Sequence, residues 1–400
     1  MHYIRLLRPP KLATSQRGMR TELVFTITTD LGDSFLYPEE PIDLVVSADI
    51  YPPSGDVSCE LSGHGKLQWL PGRRVAKPVY ELPPMAVNAM MSGDAVELCV
   101  STASSFSAEG VQSILSSSAK KPSRGGAEGL VMPVRVALNG PEADNDISTR
   151  KLRLGAASAP PEYLEVEEEI GESIARHVWD AGVVALSAIA GIYKFPRLES
   201  SQHPCMQALR RMFDDSETMN ILELGCGVGI LGTGLCAVYP RGAGDCTILM
   251  TDLDEAEGRA RSNIGLLKHN HSGSQLGNAN ILYENLNWDH GRKGRFGWQV
   301  RRRRWDLVML SDCTYNVDML SPLVETLSAL HASNVKQAAD GDEPVPTRVF
   351  VATKPRHASE RALFDLMAGD GWQTLETQIL PLPVLGGESE SVEMYLFEKA

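Results

Sequence analysis

The sequence predicts an α/β protein in which a doubly wound, largely parallel sheet fills the second half and a β-rich extension or small domain precedes it. Three observations carry that expectation. Residues 221–224 (Ile-Leu-Glu-Leu) form a short apolar run that ends at alternate glycines, Gly225, Gly227 and Gly229, before an apolar segment at 230–239. A buried strand, a sharp turn and a helix make the first half of a βαβ unit. Further apolar runs at 246–252, 306–310 and 348–354 alternate with stretches that read as helices, the pattern of a parallel sheet covered on both faces. Residues 1 to about 150 instead carry short strand-like runs at 23–29, 42–47, 95–100 and 132–138, separated by proline and glycine clusters.

The totals set bounds. Four hundred residues suggest two domains, expected at 1–150 and 151–400. A hydrophobic content of 43% supports a sizeable core, and a net charge of −13 weighs against general affinity for nucleic acid. The N-terminus has no apolar signal core, and the longest apolar stretch, 181–193, is too short to span a bilayer. No membrane partner is expected. Seven cysteines are scattered singly, which points to a reducing compartment and to neither a disulfide framework nor a zinc site. The expected location is the cytoplasm, with the nucleus as a second compartment. The stretch 101–129, rich in Ser, Ala and Gly, reads as a flexible insertion.

Glycine is needed in the 225–229 turn because the chain bends tightly and a ligand must approach bare backbone. The open N–H groups of the helix start favour an anionic group. Two registers fit. A dinucleotide fingerprint can be written from Gly227 through Gly229 to Gly232, starting late after the strand. The register that follows the strand directly is Gly-x-Gly-x-Gly, with Glu223 two residues before its first glycine. Asp252 closes the next strand, 27 residues beyond Gly225, where a carboxylate can accept both hydroxyls of a ribose. Its alternative duty is to cap the following helix, for which Asp254 is better placed.

Other residues carry weaker signals. The stretch 174–185 places Ile174, Val178, Gly182 and Ala185 on one helical face, with Trp179 at its edge. Trp288, in Glu284-Asn-Leu-Asn-Trp-Asp289, can stack on an aromatic base or pack under a loop. The strand at 306–310 runs into Ser311-Asp312-Cys313-Thr314-Tyr315, where a carboxylate can orient an amine and a ring can face an ammonium. The basic loop 291–304 ends in four arginines, Arg301 to Arg304. Such a run is either solvated or a surface that steers an acidic target or contacts RNA.

Taken in order, these segments resemble a known family. Glu-Leu-Gly-Cys-Gly-Val-Gly at 223–229 resembles motif I of the seven-strand S-adenosylmethionine methyltransferases. Val-Trp-Asp-Ala at 178–181, Leu-Asn-Trp at 286–288 and the Asp-x-x-Tyr spacing of Asp312 and Tyr315 resemble segments of the family-16 protein lysine methyltransferases. The resemblance covers about 160–400 and implies a Rossmann-like fold and S-adenosylmethionine as cofactor. The turn residues Glu223, Gly225, Cys226, Gly227 and Gly229 would then hold the cofactor. So would Asp252 and Leu253 after the second strand, Asn287 and Trp288 after the third, and Trp179 and Ser311. The resemblance also implies an amine site, with Asp312 as orienter and Tyr315 as its wall, and a protein substrate, since the family acts on non-histone proteins such as elongation factors and chaperones. Two departures are Ser311, where many members have alanine, and the long N-terminal half, which leaves the target open. Three rivals remain on the sequence alone. One is a methyltransferase of arginine, nucleic acid or a small amine. Another is a binding module with a vestigial cofactor site. The third is a dinucleotide oxidoreductase in the Gly227 register, which leaves Asp312 and Tyr315 without a role.

Overall fold

The computed structural model describes every residue except 17, 54, 64, 104–105, 119–128, 141–145, 172–175, 241, 271–278, 338–345, 383, 385–389 and 400. The chain divides into two units. One comprises Met1–Arg153, Glu165–His177 and Leu382–Ser389, and the other Leu154–Leu164, Val178–Pro381 and Glu390–Ala400.

The first unit is mainly β. Its largest sheet runs through Tyr163–Glu169, Ile147–Arg153, Val134–Ala137, Ala95–Thr102, Ile42–Tyr51 and Val57–Glu60. Side chains along Ile42–Tyr51 alternate between buried and half-buried over most of its length, as period 2 requires when one face meets a core. The run expected at 132–138 is two strands. Pro133 has no N–H to give to a ladder, and Val131–Met132 and Val134–Ala137 on either side of it join different sheets. Part of the stretch expected to be a flexible insertion is a helix, Val111–Ser118. Val111, Ile114 and Leu115, one helical face, are buried, and that spacing outweighs the Ser-rich composition. Residues 119–128 of the stretch lie outside the described residues. Within this unit Arg150 Nε donates to Glu168 Oε1 at 2.7 Å, and both side chains are almost fully buried.

The second unit is a seven-stranded sheet with helices. Its strands are β1 (Thr218–Leu224), β2 (Asp245–Asp252), β3 (Ala279–Asn285), β4 (Leu307–Ser311), β5 (Thr347–Thr353), β6 (Gln373–Pro381) and β7 (Ser391–Lys399). Their order is β3-β2-β1-β4-β5-β7-β6. The first five run parallel, and β7 lies antiparallel between β5 and β6. The central strands are apolar nearly throughout because both faces are covered. Leu222, Leu249, Val308 and Val349 of the sheet pack with Leu323 and Leu327 of one helix, Leu320–Gln337, and Leu363 of another, Ala362–Gly369. The strand order reverses between β1 and β4. In open α/β sheets the crevice at such a switch point, outside the carboxyl ends of the strands, is where ligands bind.

Four more helices frame that crevice: α1 (Asp180–Lys194), α2 (Ile230–Val238), α3 (Asp254–Asn270) and α4 (Trp288–Gly291). The helix expected over 174–185 begins later than its periodicity suggested. Val178 lies outside it, Trp179 is its N-cap with extended backbone (φ −116°, ψ 148°), and Ile174 lies outside the described residues. Helix α1 is the stretch singled out as the longest apolar run. It is buried on every side from Asp180 to Ile192, which is why it is apolar all round. Among the described residues no helix is long and apolar enough to cross a membrane.

Candidate functional site

The turn after β1 has three left-handed glycines, Gly225 (φ 65°), Gly227 (φ 54°) and Gly229 (φ 84°). Other residues rarely adopt such values. Gly225 is also required by proximity. A Cβ there would sit 2.6 Å from Cys313 Sγ and 3.4 Å from the Trp288 ring. At this one position the turn after β1, the turn after β4 and the loop after β3 converge. Gly229 N–H donates to Cys226 O (2.8 Å), closing the turn, and Cys226 N–H donates to Thr251 O (3.0 Å). Cys226 is buried, and burial, followed by the Glu223 charge, pushes its thiol well above the ordinary value. It is a packed backbone position and not a nucleophile.

Asp252 fastens this turn. Oδ2 accepts from Gly227 N–H and Oδ1 from Leu253 N–H, each at 2.7 Å. Each oxygen keeps a lone pair, so the carboxylate can still accept hydroxyls from a ligand. Leu253 contributes its backbone, since its side chain is 41% exposed. Its carbonyl accepts from Tyr283 Oη (3.1 Å).

Glu223 is the anomaly of the site. The side chain is 1% exposed, and among the described residues no hydrogen bond of ordinary geometry reaches either carboxylate oxygen, although the Gly232 backbone N–H approaches closely enough to favour the carboxylate. Burial, and then repulsion by Asp252, push its pKa up to about 8. Gly232 in α2 leaves room for it, because a Cβ there would lie 2.4 Å from Glu223 Oε2. A carboxyl group buried without a partner is costly, and a cation or hydrogen-bond donor brought into the crevice would relieve that cost.

Asp312 ends β4 in a left-handed conformation (φ 51°) and is 7% exposed. Its Oδ2 accepts from Ala181 N–H at the start of α1 (2.9 Å), and its Oδ1 from Lys354 N–H (3.0 Å) and Arg356 Nη1 (2.9 Å) after β5. The residue therefore ties three elements together. The Arg356 guanidinium also lies over the Trp179 ring, 5.1 Å from its centroid. Beside it, Lys354 pairs with Asp180 (2.9 Å) and with Glu390 (2.8 Å). Sequence reasoning missed Asp180, Lys354 and Arg356. The signal was the position of Lys354-Pro-Arg356 at the carboxyl end of a predicted strand, where functional groups of this fold class gather.

The remaining expected residues sit at the same edge. Tyr315 is 57% exposed. Ser311 Oγ lies 3.4 Å from where a Gly182 Cβ would stand, so α1 approaches the end of β4 closely. Asn287 is exposed, and its Oδ1 caps α4 by accepting from Asp289 N–H (2.8 Å). Its side chain is thus engaged in the fold. Trp288 is half-buried with its ring against Gly225.

With this geometry described, comparison with known proteins decides the family. A family model described as lysine methyltransferase matches residues 158–370, more than half of the chain. The chain belongs to that family. Across 92% of its length it is also 26% identical to a UPF0665 family protein of Schizosaccharomyces pombe, covering 93% of that protein. Among solved structures, a SAM-dependent methyltransferase of Methanosarcina mazei is 10% identical, with 46% of this chain and 93% of that one covered and a TM-score of 0.31. An O-methyltransferase family protein of Burkholderia thailandensis is 12% identical, with 52% and 59% covered and a TM-score of 0.29. Likeness at that level says nothing about the reaction.

The protein is therefore a methyltransferase, and S-adenosylmethionine is its cofactor. The residues present fit it. The cofactor carries an ammonium and a sulfonium, and Glu223 is an unpartnered carboxyl group at the start of the turn. It carries two ribose hydroxyls, and Asp252 retains two acceptor sites.

This geometry has two measurable consequences. The folded-state pKa of Glu223 lies above its unfolded value of 4.5, so between about 4.5 and about 8 the folded chain holds a proton that the unfolded chain has lost. Its contribution to stability is full below that window and is lost as pH rises through it. Glu223→Gln should remove this component. Melting curves of the two proteins across that range should diverge by roughly several degrees at the alkaline end, the variant being the more stable. Parallel curves would show that Glu223 titrates normally. Asp312→Ala takes a carboxylate acceptor away from Ala181 N–H, Lys354 N–H and the Arg356 guanidinium, which keeps the Lys354 carbonyl (3.2 Å). It should cost about 3–5 kcal/mol in denaturant titration, whereas Asp312→Asn, which tolerates the left-handed backbone, should cost less.

Proposed function

We propose that this methyltransferase acts on a lysine side chain of a non-histone protein, such as a translation factor or chaperone. The observation that carries the proposal is an exposed aromatic ring, Tyr315, three residues beyond Asp312 at the mouth of the crevice, in a chain whose family is described by lysine methylation. An exposed ring face attracts an alkylammonium group by cation–π interaction.

When bound, the cofactor supplies an electrophilic methyl group on a sulfonium. The chain's own groups then have defined tasks. Gly225, Cys226, Gly227 and Gly229 offer bare backbone, and Asp252 with the Leu253 backbone receives the ribose. Glu223 faces the cationic end. Trp288 stacks on the adenine, with the backbone of Asn287 at its edge, while Trp179 and Ser311 close the opposite side. An acceptor lysine has an ordinary pKa of about 10.4 and must be neutral to react. Desolvation on docking, beside the positive sulfonium, disfavours the ammonium form. Asp312, held at the end of β4 beside the start of α1, orients the amine. The setting is the cytoplasm, with the nucleus as a second location, and the partner is a protein substrate.

The test is transfer of labelled methyl groups to an extract from cells that lack this protein. Label should enter a protein, resist nuclease, and appear as methyl-lysine by mass spectrometry. Label confined to RNA, to small molecules or to arginine would overturn the proposal. Gly227→Val forces a branched side chain into a left-handed turn position and should abolish cofactor binding by calorimetry. Tyr315→Ala should reduce turnover more than Tyr315→Phe, with cofactor affinity within a few-fold of wild type, because only the alanine removes the ring. Equal activities for the two variants would remove Tyr315 from the acceptor site.

A further inference from the structure

The basic stretch before β4 has no place in the reading above. Residues 292–304 contain seven Lys or Arg and no Asp or Glu, in a chain of net charge −13. Two of the seven have acidic partners. Arg292 pairs with Asp289 (2.9 Å), and Arg304 lies 3.7 Å from Asp306. Among the described residues no carboxylate stands within ion-pair distance of Lys293, Arg295, Arg301, Arg302 or Arg303.

The stretch is held in place. A one-turn helix, α5 (Trp298–Arg301), follows α4. Glu284 at the end of β3 accepts from Gln299 N–H (2.9 Å) and Val300 N–H (3.1 Å), and Gly297 lets that carboxylate approach. Val300 and Phe296 are buried beneath it. The opposite face carries Trp298, Arg301 and Arg302, spaced at i, i+3 and i+4 and therefore neighbours. Trp298 is 57% exposed, and the Arg302 guanidinium lies 4.1 Å from its ring centroid.

Both features oppose stability when left bare. Adjacent like charges repel, and a large ring in water forgoes burial. An acidic peptide would satisfy the arginines and leave the indole face opposite Arg302 without a flat partner. A single-stranded nucleic acid satisfies both, with phosphates for the guanidinium groups and a base for the ring, a pairing that recurs in sequence-tolerant strand binding. We propose that the face formed by Trp298, Arg301 and Arg302, flanked by Arg303, binds single-stranded nucleic acid, with a base stacked on Trp298. This surface is independent of the methyl acceptor. It would recruit the full-length protein to nucleoprotein, and it does not require that the nucleic acid be methylated.

The test uses the full-length protein and a fluorescent oligouridylate, with an oligoglutamate of matched charge as the comparator, followed by anisotropy. Oligouridylate should bind and oligoglutamate should bind much more weakly. Trp298→Ala should weaken binding by about tenfold or more, and Trp298→Phe should retain most of it. Replacing Arg301, Arg302 and Arg303 together by Gln should flatten the slope of log affinity against log salt by about 2, roughly 0.7 for each phosphate that is no longer neutralised. All four substitutions are on the protein surface or half-buried, and unchanged melting temperatures would certify the fold. Equal affinity for oligoglutamate would assign the face to acidic proteins. Unchanged affinity in Trp298→Ala, or no binding at low salt, would leave the run as a solvated surface. Any of these three results overturns the proposal.

Discussion

The cofactor unit depends on one carboxylate. Asp312 accepts from the first turn of α1, from the backbone after β5 and from the Arg356 side chain. It does so from a left-handed backbone that a β-branched residue could not hold. The switch point of the sheet is where β1 and β4 lie side by side, and there the Asp312 bonds act together with the buried Lys354–Asp180 pair, which also joins the end of β5 to α1. The Asp312 interaction fixes where α1 begins, and so where Trp179 stands. Arg356, fixed in turn, covers one face of that tryptophan.

Much of this was legible from sequence, and each success has a physical cause. The βα alternation was readable because parallel strands buried on both faces are largely apolar, as β4 and the middle of β5 are. The glycine turn was readable because only glycine populates left-handed backbone at alternate positions without strain. Asp252, Asp312 and Trp288 were placed from their positions just after strands, and the structure brings Trp288 and the turn after β4 against Gly225.

The failures are equally specific. The start of α1 was misplaced because hydrophobic periodicity continues through Val178 and Trp179, which precede the helix, Trp179 with extended backbone. Periodicity cannot see that a distant carboxylate ends the helix by taking the Ala181 N–H. The break at Pro133 lay in plain sight, but its consequence, that the two halves join different sheets, is long-range pairing and has no local trace. The helix Val111–Ser118 was hidden by serines whose side chains do not decide the matter once three apolar residues find a core. Asp180, Lys354 and Arg356 were missed because a buried charge network is defined by partners remote in sequence.

The loops at the carboxyl edge share one device. A side chain at or just after a strand end accepts from the backbone of a loop or helix start. Asp252 takes Gly227 N–H, Asp312 takes Ala181 N–H, Glu284 takes the start of α5, and Asn287 caps α4. Each bond fixes a loop that would otherwise fluctuate, so the crevice is preorganised before any ligand enters. Glu223 is the exception at the centre. It belongs to β1, at the centre of the sheet, and Gly232 gives it room, yet among the described residues no well-formed hydrogen bond from a neighbouring loop reaches it. In the function proposed above, a positively charged ligand would meet its counter-group in Glu223, and the glycines with the bonds made by Asp252 and Asp312 would set the shape it enters.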